Sequence, residues 1–532
     1  MRTALPVAAL GLCSLYVVFL QSNLRIAADV GDDGTLSFEL PSASSKGVAM
    51  RNPRYEGFNK DGSQYVVTAK TATSDFQAKG PIALEAINGK ITEPNRTVTT
   101  IAATRGTYDQ ASGQLSLRDG IEIESTSGLA AKLSTAQIDP KQGSVVSNQT
   151  VEVTLPSGVV VGRTMTLSQK AETVLFDNGV RARLNPPDQA KAKTTQTEKA
   201  TPGNALGLSG AAANGPVVVT SKSLFVASKS NEARFETNVR AEQGSAALTA
   251  TELRAKFARA QPRSTGPGEP AGTSGGVSAL SGGAGQSSLE TLTALGNVVL
   301  KQPGVEARAP RARFITATNL AILEGGVRIT RPDSVTQAEV VTLDTAKQTA
   351  LLTGGVKIDA GSNRSARASR AEFDQTTETA RMLGGVTISQ GQNRLRGEDL
   401  FLDQKAGRMI LKARASGGRI SARLHRAAGQ KSPPRGGTRT ANAGPAAFAI
   451  QTDPNAPIDI QSEQLVVDDR VREAVFVRSV RAVQGAVVMT GERLVASYSG
   501  SAAVLETSGG LPSAAAGNAT PVALKTIVVT GG

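Results

Sequence analysis

Valine and isoleucine alternate with polar residues in short runs that return along this chain at a fixed interval. Gly296-Asn297-Val298-Val299-Leu300, Gly325-Gly326-Val327-Arg328-Ile329, Gly354-Gly355-Val356-Lys357-Ile358 and Gly384-Gly385-Val386-Thr387-Ile388 read alike, and their first valines lie 29, 29 and 30 residues apart. In each run a turn glycine precedes Val-x-Ile or Val-x-Leu, a period of two that puts the apolar residues on one face of a strand. Upstream, Ile121-Glu122-Ile123, Val151-Glu152-Val153 and Val180-Arg181-Ala182 continue the pattern at 30 and 29 residues. A fixed period in this range marks a protein that stacks one supersecondary unit many times. The pattern predicts an all-β repeat array with little helix outside the N-terminus. One face is an apolar ladder of Ile121, Ile123, Val151, Val153, Val180, Val298, Leu300, Val327, Ile329, Val356, Ile358, Val386 and Ile388. The alternate positions are Glu122, Glu152, Arg181, Arg328, Lys357 and Thr387.

Composition fits a thin core better than a bulky one. The 532 residues include 55 Gly, no Trp and only 3% aromatics, which suits a stack of Val, Ile and Leu one layer deep. The single cysteine, Cys13, leaves no internal disulfide or cysteine metal site, and the single histidine, His425, argues against a metal cluster or a histidine-based triad. No cofactor is expected. Residues Ala4 to Leu20 form an apolar run. At about 1.5 Å per residue it would reach roughly 26 Å, close to a hydrocarbon core of about 30 Å. No convincing small-residue cleavage site follows it, and Leu12 is too large for a lipid-attachment signal at Cys13. The expectation is one transmembrane helix as an uncleaved inner-membrane anchor, with a cleaved signal peptide as the alternative.

The net charge of +14 is concentrated. Between Asp403 and Asp453 there is no acidic residue, while Lys405, Arg408, Lys412, Arg414, Arg419, Arg423, Arg426, Lys431, Arg435 and Arg439 add ten positive charges. The run has no interleaved aromatics and lies in an exported chain, so nucleic acid is not the expected partner. An anionic lipid surface or headgroup suits it better, with a plain solvated linker as the other reading.

The composition shifts divide the chain into a membrane anchor (1–22), a polar spacer (23–50), a dense β region (51–185), a linker (186–215), a short β-repeat region (216–258), a Gly/Ser/Pro insertion (259–287), the clearest repeats (288–413), a basic linker (414–456) and a last β region (457–532). The closing Ile527-Val528-Val529-Thr530-Gly531-Gly532 matches a repeat stopped just before its valine. An exposed strand edge there is expected to pair with another copy or another repeat protein.

Each repeat has a second half, such as Ala368-Ser369-Arg370-Ala371-Glu372-Phe373-Asp374 or Gln337-Ala338-Glu339-Val340-Val341-Thr342-Leu343-Asp344. Units built as Ala-x-x-Ala-x-Phe-Asp, a turn, then Leu-x-Gly-Gly-Val-x-Ile resemble the OstA-like repeats of the A-type proteins of the lipopolysaccharide transport bridge. Residues 51–185, with Asn52-Pro53-Arg54-Tyr55-Glu56-Gly57-Phe58, Ala102-Ala103-Thr104-Arg105-Gly106-Thr107-Tyr108-Asp109 and Leu117-Arg118-Asp119-Gly120-Ile121, resemble the C-type component of the same system. The resemblance implies a β-jellyroll opened into a V, whose inner face, the ladder above, shelters acyl chains of lipopolysaccharide while the sugars stay in water. It also implies an inner-membrane protein whose bulk lies in the periplasm. Its partners would be inner-membrane ABC-transporter subunits and other β-jellyroll bridge proteins, or a second copy, joined by edge-strand pairing. In any β-solenoid, inward Val and Ile are simply core, so a structural envelope scaffold or adhesin is the alternative. Catalysis is not expected. The carboxylate pairs Glu398-Asp399 and Asp468-Asp469 sit on adjacent strand positions, which point to opposite faces, and Asp32-Asp33 lies in the spacer.

Overall fold

A computed structural model describes residues 42–185, 216–258, 289–425 and 456–531, apart from 45–46, 59–61, 75–79, 95, 110, 140–141, 169, 362, 415–416, 500–505, 509–510 and 514–522. The proposed anchor, the spacer up to 41, the linker 186–215, the insertion 259–287 and the basic residues from Arg426 to Arg439 lie outside the described residues. Among the described residues no helix is long and apolar enough to cross a membrane, and the ordered elements are strands with one 3-10 turn at Thr316–Thr318.

The fold divides into two compact units. Among the described residues the first holds those up to 298 together with 315–317, and the second holds 299–314 and those from 318 onward. Both are built the same way. Strands of ten to fourteen residues, such as Ile82–Thr92, Val98–Tyr108 and Leu115–Ser125 in the first unit or Thr349–Ala360, Arg364–Asp374 and Thr379–Gln390 in the second, pair antiparallel with their sequence neighbours. Each period therefore supplies two strands.

Each long strand turns a corner at its middle, and the corner is written in the sequence. At Thr353/Val356 the register slips, so that Gly354 and Gly355 together face the single residue Ser369. Two residues opposite one is a β-bulge, which bends the strand and sharpens its twist. Both glycines are left-handed, at φ 80° and 86°. They do different jobs. A Cβ on Gly354 would sit 2.3 Å from Cβ of Glu339 on the preceding strand, whereas one on Gly355 would meet nothing within 4 Å. The first glycine makes room and the second supplies the left-handed turn, which asparagine also tolerates. Asn297 occupies that second position at φ 48°. Pairs of left-handed residues recur at Asp119-Gly120, Asn178-Gly179, Thr237-Asn238, Gly296-Asn297, Gly325-Gly326, Gly384-Gly385 and Arg478-Ser479. The first four of these begin at 119, 178, 237 and 296, each 59 residues (two periods) after the last. These four therefore mark corners of one kind.

A second corner type breaks the strand in two. Ser144–Ser147 and Val151–Leu155 both pair with Ala130–Asp139, and Val217–Ser221 and Ser223–Ala227 both pair with Thr173–Leu184. At these breaks a buried serine hydroxyl donates to the carbonyl two residues on: Ser147 to Gln149 at 3.2 Å, Ser221 to Ser223 at 2.8 Å and Ser462 to Gln464 at 3.0 Å. The hydroxyl satisfies an acceptor that the broken ladder leaves open.

The hairpin ends explain the Phe-Asp of the repeat. Phe373 is buried, and the next residue, Asp374, accepts from the amides of Thr376 and Thr377 at 2.8 and 3.0 Å, closing the turn. Asp109 and Asp344 do the same at their own turns, and these amide bonds hold both carboxyls below the usual aspartate range. The Gly57 of the N-terminal motif lies across from Tyr65. A Cβ there would strike the Tyr65 ring, and that ring is only 1% exposed.

Two stretches differ from the sequence reading. Ser42–Ser44 and Gly47–Arg51, at the end of the segment read as a polar spacer (23–50), are paired strands. Ile420–Leu424 lies within the segment read as a basic linker (414–456), yet it is a strand paired with Asn393–Asp403 and Ile458–Ser462. Its Ile420 and Ala422 are buried on the inner face, while the flanking Arg419 and Arg423 carried the charge that made the run look like a linker.

Candidate functional site

The two halves of the long strands make two legs in each unit, and burial is on one face of both legs. All thirteen ladder residues are buried, from Ile121, Val151 and Ile358 at 0% to Leu300 at 8% exposure. The residues between them, Glu122, Glu152, Arg181 and Arg328, are exposed, and Lys357 and Thr387 are half-buried. Register aligns the ladder into rows. In the second unit Val327 lies opposite Ala338, Ile329 opposite Thr336, Thr336 opposite Ile358, and Ile358 opposite Ala366, which in turn faces Ile388. The structure thus brings the later ladder residues together on one continuous face. In the first unit Ile121 and Val151 meet across Leu133, and Ile123 and Val153 across Ala131.

An apolar cavity of about 80 Å³ opens within the second unit. Ile388, Gln390, Asn393, Leu395, Leu424 and His425 line it from the leg that follows the glycine corner; Met409, Leu465, Val467, Ala474, Phe476, Ala496 and Tyr498 line it from the other leg. The inner faces of the two legs therefore look at each other across this space. Of the ladder, Ile388 reaches it. His425 and Tyr498 add polar atoms at its edge, and the sequence pattern alone had pointed to neither. The Tyr498 hydroxyl donates to Asp469, and burial, helped by that bond, holds its phenol far above the usual range, so it stays protonated. His425 takes part through its backbone amide, which donates to the Asn393 side chain at 2.7 Å.

The carboxylate pairs do not converge. Glu398 accepts from the Gly385 amide at 3.3 Å and faces Arg414 at 3.6 Å, whereas Asp399 holds Arg381 bidentately at 2.8 and 3.1 Å. Asp468 caps the turn at Arg470, while Asp469 meets Tyr498. Among the described residues no group of His, Cys, Asp and Glu could hold a metal ion.

An all-β array whose long strands bend at stacked corners, with one apolar face turned inward, defines a repeat β-jellyroll. Residues 15–185 match the family of lipopolysaccharide-assembly, LptC-related proteins, and residues 218–349 match the LptA/(LptD N-terminal domain) LPS transport proteins. A single polypeptide thus carries a region that matches the LptC-related family followed by one that matches the LptA/(LptD N-terminal domain) family. A similar solved structure is LptH from Pseudomonas aeruginosa, described as the LptA homologous periplasmic component of the conserved lipopolysaccharide transport device. It is 16% identical over 26% of this chain and 82% of its own, with a TM-score of 0.19. No curated protein matches the chain.

Proposed function

We propose that the chain is a non-enzymatic conduit for lipopolysaccharide, anchored in the inner membrane with its bulk in the periplasm. In this reading it receives the lipid from an inner-membrane ABC transporter and passes it toward the outer membrane. Acyl chains travel between the legs along Ile121, Ile123, Val151, Val153, Val180, Val298, Leu300, Val327, Ile329, Val356, Ile358, Val386 and Ile388, while sugars remain outside. The observation that carries the reading is the apolar inner face itself, joined in the second unit to a cavity between the legs. The ladder residues are packed to 8% exposure or less, so in this reading the legs part to admit an acyl chain. Transport of this kind needs no bond making, in keeping with the two transport families matched.

The tight burial of the ladder also suits a structural envelope scaffold, and one experiment separates the two. Mass spectrometry of the exported part, purified without detergent, is expected to find co-purifying lipid A. Protein that is folded and lipid-free from lipopolysaccharide-producing cells would favour the scaffold.

A further inference from the structure

The outer face of the second unit carries a line of positive charge. Following the register from strand to strand, Arg328 lies opposite Gln337, which faces Lys357; Lys357 faces Arg367, which faces Thr387; Thr387 faces Arg396. The row continues through Ser421 and Gln461 to Arg481. Five of these nine positions are cationic and none is acidic. Arg328, Arg367, Arg396 and Arg481 are exposed, and none makes an ion pair among the described residues; Lys357 meets Asp359 on its own strand at 2.7 Å. Eight strand spacings of about 4.8 Å make the row roughly 38 Å long. Lys357 and Arg367 are like charges on directly opposed positions, which costs stability, so packing alone does not favour that pair; the other cations of the row are spaced by neutral residues.

We propose that this row is a docking surface for an extended acidic polysaccharide, one bearing carboxylate or phosphate groups along its length. The proposal does not rest on the lipid path, which uses the opposite face of the same strands. Shape and charge select the partner. The cationic surplus is confined to a line. On one side the next outward row balances Arg394 and Arg423 against Asp359 and Asp459, with Asp359 paired to Lys357 and Asp459 to Arg423, so it carries no surplus of its own. On the corner side stand Glu339, Glu398 and Glu463, the last two facing Arg414 and Arg478. A flat anionic membrane would meet those carboxylates together with the row, whereas a linear polyanion can follow the row and miss them. Arginine forks suit carboxylate and phosphate oxygens, and Gln337, Thr387, Ser421 and Gln461 between them suit sugar hydroxyls. The row has no aromatic side chain on which nucleic-acid bases could stack.

The test uses the full chain and immobilised polygalacturonate, a linear polyuronate, with neutral dextran as the blank. One variant carries Arg328→Gln, Arg367→Gln, Arg396→Gln and Arg481→Gln. A second removes four exposed cations from the first unit, through Lys132→Gln, Arg181→Gln, Arg183→Gln and Arg240→Gln, so that the net charge and the basic segment are matched. Thermal melting confirms that both fold. The first variant should bind polygalacturonate at least about tenfold more weakly, a difference of about 1.4 kcal/mol, and the second should stay within about twofold of the parent. Binding by the parent should fall as salt rises. Equal losses in the two variants, no binding by the parent, or a loss confined to phosphatidylglycerol vesicles or single-stranded DNA would each overturn the proposal.

Discussion

Inside, the two units are alike; outside, they are not. The ladder positions two residues beyond each corner flank one outward residue. In the first unit that outward row reads Glu122, Lys132, Glu152, Val161, Arg181, Thr220 and Arg240. Acid and base alternate from Glu122 to Arg181, and the second arginine, Arg240, is tied to Glu242. In the second unit the same row holds five bases and no acid. The outer face of the other leg diverges too. Its central row in the second unit runs Phe401, Ile410, Val466, Val475, Val495 and Val528 over six neighbouring strands. The matching row in the first unit mixes polar and apolar residues: Thr107, Ser116, Gln137, Val146, Thr166, Leu175 and Phe225. Inner positions answer to packing, which is the same problem in both units. Outer positions are released from it, so they record what each unit meets.

The largest effects should therefore be the same in both units. Ile121→Asp and Ile358→Asp each bury a carboxylate on a largely apolar face with no cation to pair with it, and each should cost several kcal/mol, on the order of 3–5. Glu122→Ala and Lys357→Ala should cost less than about 0.5 kcal/mol. Denaturant melts of the four variants check this, and an inner variant as mild as its outer neighbour would break the likeness of the interiors. Next comes the corner. Gly354→Ala meets Glu339 and keeps a left-handed φ, so a loss of about 1–3 kcal/mol is expected. Gly355→Asn, which copies the residue found at Asn297, should lose no more than about 0.5 kcal/mol.

Outer charge should give effects of opposite sign in the two units. Arg367→Glu, set beside Lys357, should stabilise the second unit by about 0.2–1 kcal/mol, whereas Lys132→Glu, set between Glu122 and Glu152, should destabilise the first by a similar amount. Both shifts should shrink in high salt. Matching signs would remove the contrast. The smallest effect concerns pH. The bidentate Arg423 guanidinium holds the Asp459 carboxyl below the usual aspartate range. A lowered carboxyl contributes stability that is present above its unfolded range and is lost as pH falls through the lowered value. The pair is half-exposed, so Arg423→Ala should cost no more than about 0.5 kcal/mol at neutral pH, and this difference from the parent should vanish in acid.

Much of the architecture was legible because its cause is local. A left-handed pair followed by Val-x-Ile fixes the corner and the inner face within five residues, and Phe-Asp fixes the hairpin end. The divergence of Glu398 from Asp399 followed from strand geometry alone. The serine corners were not legible, since a strand broken at Ser147 or Ser462 reads as two short runs beside a turn. Nor was the strand Ile420–Leu424, whose two inward apolar residues are outnumbered by the charge around them. The cationic row was beyond reach for another reason. Arg396 and Arg481 are 85 residues apart, and only sheet register puts them on one line.

The central claim is that lipid runs along the inner face. A photo-crosslinking residue at Ile358 and, separately, at the adjacent outward position Lys357 tests it in cells that are exporting lipopolysaccharide. The account predicts a lipopolysaccharide adduct from position 358 and none from 357, with the same contrast between Val327 and Arg328. Equal labelling at inner and outer positions, or labelling at the outer ones alone, would contradict it.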